Sequence, residues 1–89
     1  MNFSEALTAL KEDKKLTREG WNGKGMWVEV QRPTDTSKMT RPYIFMVIPI
    51  SGTHQFDGTP TRPNGVEMVP WLVSQTDLMA EDWFVIDSV

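Results

Sequence analysis

The sequence predicts a single α+β domain over residues 1–89: an N-terminal helix packed on a small, largely antiparallel sheet, with a short second helix before the last strand. Three observations predict it. Apolar residues recur at helical spacing only near the N-terminus, at Phe3, Ala6, Leu7 and Leu10. Short alternating or β-branched runs, separated by Gly, Pro, Asn and Asp, follow over most of the chain. One further capped helical segment precedes a final apolar run.

Asn2 to about Lys14 reads as an amphipathic helix. Asn2 and Glu5 stand in capping-box order, and Lys11, Lys14 and Lys15 lie where cations complement the helix dipole. Leu16 to Arg18 reads as a short strand, ended by Gly20, Gly23 and Gly25. In Met26–Gln31 the residues Met26, Val28 and Val30 face one way, and Trp27, Glu29 and Gln31 the other. Arg32 to Thr40 is polar, contains Pro33 and reads as a loop. Tyr43 to Ile48 is aromatic and β-branched and is expected to be the central strand. Ser51 to Gly65 reads as a long loop or irregular hairpin. Val66 to Val73 is a strand, with Pro70 restricting it to an edge or bulge. Ser74 to Ala80 is a short helix capped by Ser74 or Thr76, and Trp83 to Ile86 is the last strand.

Composition narrows the function classes. The 89 residues carry 9 Lys and Arg against 12 Asp and Glu, a net charge of −3. Nonspecific binding to duplex nucleic acid draws its affinity from phosphate neutralisation, so this balance disfavours it. There are no cysteines and one histidine, His54, which leaves no metal set and no cofactor signature. No serine lies in a nucleophile motif, and the carboxylates Asp77, Glu81 and Asp82 lack any sign of acid–base pairing across a substrate. No catalytic or metal-binding residue is assigned. Residues 1–5 do not read as a signal peptide, and the longest apolar run, Ile44 to Ile50, contains Pro49 and is too short to span a membrane. A cytoplasmic protein is expected.

The four tryptophans carry the strongest functional signal. They fall in two motifs, Arg18-Glu19-Gly20-Trp21-Asn22-Gly23-Lys24-Gly25-Met26-Trp27 and Pro70-Trp71 followed by Asp77-Leu78-Met79-Ala80-Glu81-Asp82-Trp83. Trp presents a rigid flat wall with one polar edge, which suits a planar, polar ligand. Trp83 opens an apolar strand and reads as core. Trp27 is out of phase with Met26, Val28 and Val30, so it faces the other side of the sheet or a partner. Trp21, among Gly and polar residues, is the best candidate for stacking on a base, and Trp71, after a proline at a strand edge, suits a pocket rim. Gly20 and Gly23 allow backbone N–H groups close to a ligand, with Arg18 and Lys24 at hand for a phosphate. The competing explanation of Asn22-Gly23 is an ordinary hairpin turn. Asp77 serves equally as a capping residue of the second helix.

These motifs, with the Phe3-x-x-Ala6-Leu7 helix before them, resemble a family of short phage and prophage proteins, the anti-Thoeris proteins of the second type. The resemblance runs nearly end to end. It implies a non-enzymatic molecular sponge that holds cyclic ADP-ribose isomers, notably glycocyclic forms, made by the Thoeris immune sensor in the host cytosol. The effector NADase then stays inactive. It further implies a homotetramer with pockets at subunit interfaces and, in some members, separate pockets for cyclic oligonucleotides. On this resemblance Trp21 stacks on adenine, Trp71 forms a second wall, and Asn22 and Asp77 hydrogen-bond base edge or ribose. Arg18, Lys24, Arg41 and Arg62 are the cations available to phosphate. The alternative is a protein-interaction module or host-protein inhibitor that uses exposed tryptophans as hot spots. An enzyme that cleaves the same signal is a second rival.

Overall fold

A computed structural model describes residues 1–21, 25–49, 55–56, 59–60 and 65–86. Helix α1 (Phe3–Lys11) opens with the expected capping box: Glu5 N donates to Asn2 Oδ1 at 2.9 Å, and Asn2 N donates to Glu5 Oε1 at 3.0 Å. The helix stops because Asp13 adopts a left-handed backbone, φ 66°. Asp13 N then donates to Leu10 O and Lys14 N to Ala9 O, which satisfies carbonyls that would otherwise be orphaned.

The chain continues through β1 (Lys15–Arg18), one 3-10 turn (Glu19–Trp21), β2 (Trp27–Gln31) and β3 (Tyr43–Pro49). The two-residue strands β4 (Gln55–Phe56) and β5 (Thr59–Pro60) pair antiparallel with each other. Then come β6 (Val66–Pro70), α2 (Gln75–Leu78) and β7 (Trp83–Ile86). Five strands form one antiparallel sheet in the order β6-β3-β2-β1-β7. The middle position therefore belongs to β2. The expectation that Tyr43–Ile48 would be central is corrected, because β7 adds beyond β1 and shifts the centre toward the N-terminal strands. Pro70 closes an edge strand, where a missing N–H costs no ladder bond.

Packing follows from alternation. Leu16 pairs with Val28 and Val85, and Val28 with Met46, so these side chains share the face that meets α1. There Ala6, Ala9, Leu10, Leu16, Val28 and Trp83 form the buried core, with Phe3, Leu7, Val30, Ile44 and Met46 around it. Lys15, Thr17, Trp27, Val47 and Phe84 alternate onto the opposite face. Trp27 accordingly lies away from the core, with Lys15 Nζ 4.9 Å above its ring and its Nε1 donating to Glu29 Oε2 at 2.7 Å. Among the described residues no helix is long and apolar enough to cross a membrane.

Candidate functional site

The end of β1, the 3-10 turn, α2 and the start of β7 bring the two tryptophan motifs together. Register drives this: Arg18 lies opposite Trp83 in the β1–β7 ladder. The start of β7 is also tied to the first residue, since Trp83 N donates to Met1 O at 3.1 Å and Met1 N to Trp83 O at 2.7 Å. Ser74 caps α2 by accepting from Asp77 N at 3.1 Å. The capping alternative for Asp77 is thereby filled by Ser74.

The aromatic rings form one cluster. Trp83 is buried at its centre. Trp21, Trp71 and Phe3 surround it at centroid distances of 5.2, 5.9 and 5.5 Å, and the Trp21 and Trp71 rings meet it nearly edge-on. Trp21 and Trp71 also meet each other edge-on at 6.4 Å. Such geometry places ring edges against ring faces, the arrangement that aromatic quadrupoles favour. Trp21 and Trp71 are half-buried.

A charged network joins the cluster. Arg18 Nη1 donates to Asp77 Oδ1 at 2.7 Å, and Arg18 Nε and Nη2 donate to the two oxygens of Asp82 at 2.6 and 3.3 Å. Asp77 Oδ1 also accepts from Trp21 Nε1 at 3.1 Å, and Asp77 O accepts from Trp83 Nε1 at 3.0 Å. Asp82 Oδ2 accepts from Gly20 N at 2.7 Å, and Asp82 O from Glu19 N at 3.2 Å. The hydrogen bonds from Arg18, and then from Gly20, hold the Asp82 carboxyl below its ordinary range. Bonds to Asp82 and then Asp77 hold the Arg18 guanidinium charged still more firmly than usual. Among the described residues, three of the five N–H groups of Arg18 are engaged.

Because the native Asp82 value is depressed, its contribution is fully present above the ordinary value of 3.8 and is lost as pH falls through the native value. The melting temperature of the wild-type protein is expected to drop on acidification below about pH 4, and Asp82→Asn to flatten that limb. Thermal melts of both proteins across acidic pH check this; parallel curves would refute it.

Gly20 is required by close approach. A Cβ there would lie 2.9 Å from both Arg18 Nη2 and Asp82 Oδ2, which are pinned to each other. Gly20→Ala is expected to push the carboxylate off the Gly20 N–H and lower the melting temperature by several degrees. A melt that matches wild type would show the network yields freely.

Beside the network is a cavity of about 340 Å³ lined by Thr17, Arg18, Glu19, Trp21, Gly25, Met26, Phe84 and Ile86. Its size falls at the small end of about 300–1,000 Å³ found for small-molecule sites. Gly25 has φ 73°, a backbone that favours glycine.

The structure thus brings together Arg18, Trp21, Trp71 and Asp77. Asn22, Gly23 and Lys24 lie outside the described residues, as do His54 and Arg62. Arg41 lines a different cavity with Met39, Pro42, Tyr43 and Pro70. Asp82 and Phe3 were not anticipated as part of the site. The signal for Asp82 is the spacing of two acids five residues apart, one within the short second helix and one just before the last strand, with a single arginine in the other motif to balance them.

The family model of the Thoeris anti-defense 2-like domain matches residues 1–86. The chain is also 34% identical over 89 aligned residues to Thoeris anti-defense 2 of Bacillus phage SP01, an alignment that covers 97% of this chain and 94% of that protein.

Proposed function

The chain belongs to the Thoeris anti-defense 2-like family, which supports a phage anti-defence role, and from that premise we propose that it sequesters the nucleotide signals of Thoeris immunity without degrading them. The signals in question are glycocyclic ADP-ribose isomers, with cyclic oligonucleotides as a further class. Trp21 is the wall on which adenine stacks and Trp71 the second wall. Asn22 contributes hydrogen bonds to base edge or ribose, and Gly23 lets a backbone N–H come close to the ligand. Lys24 and Arg18 receive the pyrophosphate. The working form is a homotetramer in the host cytosol with pockets completed between subunits, and the action is stoichiometric binding rather than turnover.

The observation that carries this reading is Trp21 itself: a half-buried indole, anchored by its N–H, on the wall of a cavity. Base–aromatic stacking contributes about 1–3 kcal/mol per base. Charge-assisted bonds to phosphate add to it. The summed charge of Arg18, Asp77 and Asp82 is negative by one, so the pyrophosphate needs Lys24 as well.

The test is functional. Thoeris signal mixed with excess protein should fail to activate the effector NADase, and heating the mixture should restore activation in full. Failure to restore would indicate destruction of the signal and hence an enzyme. Undiminished activation at every protein ratio would favour a host-protein target.

A further inference from the structure

We propose that Asp77 is the positioning residue of this site: its carboxylate, braced by Arg18, sets the orientation in which the Trp21 indole meets a ligand. The proposal rests on the reading of Trp21 as the stacking wall and assigns Asp77 a role behind that wall.

Trp21 needs such a device. It ends a 3-10 turn of three residues that contains Gly20 and is followed in sequence by Asn22-Gly23. Gly20, without a Cβ, restricts the backbone before the ring less than any other residue would. The edge-on contacts with Trp83 and Trp71 hold the ring in place but leave rotation within its own plane weakly determined. The bond from Trp21 Nε1 to Asp77 Oδ1 removes that freedom, because one ring atom is then tied to one point.

Asp77 is suited to serve as that point. Its N–H is held by Ser74 Oγ, its carbonyl by the indole N–H of Trp83, and its carboxylate by Arg18. Arg18 is in turn held by Asp82, which also binds Gly20 N, the residue before Trp21. Backbone and ring of the Gly20–Trp21 step are thus fixed by two carboxylates that share one guanidinium. The Asp77 side chain is only 14% exposed, so water competes poorly for the bond. The Trp83 bond goes to the backbone carbonyl of residue 77 and so survives any substitution of that side chain.

The experiment combines indole N–H spectra with binding. Each of the four indole resonances is assigned by single Trp→Phe variants. In Asp77→Ala, the Trp21 indole N–H is expected to move upfield and lose hydrogen-exchange protection, while the Trp83 indole N–H stays protected. Affinity for a glycocyclic ADP-ribose isomer, measured by calorimetry, should fall on the order of tenfold, the effect of a hydrogen bond to a charged group. Asp77→Asn, which keeps an acceptor of the same shape, should fold and lie between the two. In a Trp21→Phe background, which keeps a ring and removes its N–H, Asp77→Asn should cost little further affinity. A purely structural role would lower the melting temperature and leave the affinity of the folded protein unchanged.

An unchanged Trp21 resonance in Asp77→Asn and Asp77→Ala overturns the proposal, and needs no ligand to be seen. Full additivity of Trp21→Phe and Asp77→Asn also overturns it. Retained affinity in Trp21→Ala overturns instead the reading of Trp21 as the wall.

Discussion

Trp83→Ala is expected to cost about 3–5 kcal/mol, the range for removing a buried aromatic side chain. A domain of 89 residues has a total stability of about 5–13 kcal/mol, so this loss is a large share of it. At about 4–8 °C per kcal/mol for chains of this size, the melting temperature should fall by roughly 15 °C or more. The size of the effect follows from position. Trp83 is 1% exposed, shares the buried core cluster with Leu10, Leu16 and Val28, and supplies the surface on which Phe3, Trp21 and Trp71 pack. Its removal also leaves the Asp77 carbonyl without its indole partner. Calorimetric or circular-dichroism melts check this; a fall of under about 5 °C would mean that the cluster closes over the gap and that Trp83 is not its keystone.

Trp21→Ala is expected to act the other way round, with a modest effect on stability and a large one on binding. The ring is half-buried at the outer side of the cluster, so α1 stays on Leu16 and Val28 when it is lost, and Trp83 keeps Phe3 and Trp71 against its ring. Loss of base stacking at about 1–3 kcal/mol corresponds to an affinity lower by roughly 5- to 150-fold. Titration calorimetry with a glycocyclic ADP-ribose isomer, beside a melt of the same variant, separates the two effects. Unchanged affinity in a folded variant would remove Trp21 from the site. Together the two substitutions are expected to divide the tryptophans by role, with Trp83 holding the domain together and Trp21 meeting the ligand.

Local features were the legible ones. The helix cap at Asn2 and Glu5, the alternation of β2 and the buried place of Trp83 each depend on residues a few positions apart, and each is as the pattern predicts. The order of strands is not local. The pairing of β7 with β1 joins residues 83–86 to residues 15–18, and nothing in either run identifies the other as its partner. That pairing moves the centre of the sheet from β3 to β2.

The site was legible in part for the same reason. Trp21 lies among polar residues and glycines in sequence, yet it stands 5.2 Å from the ring of Trp83, which is brought to it across the sheet. By residue type Arg18 is a cation available to phosphate. In the folded chain it is bound by Asp77 and Asp82, 59 and 64 residues away. Residue type predicted the charge; the fold decided what that charge faces first. Family membership and geometry therefore contribute different things. Membership supports the anti-defence role, and the geometry shows a half-buried indole tied by its N–H to a carboxylate beside the core.

The most direct test of sequestration is capture and release of the signal itself. Purified protein incubated with a glycocyclic ADP-ribose isomer is separated from free nucleotide by size, then heat-denatured, and the released material is identified by mass spectrometry. The account predicts retention in fixed stoichiometry with the protein and recovery of the isomer at its original mass and chromatographic position. Recovery of a hydrolysed or linear product, or no retention at all, would contradict it.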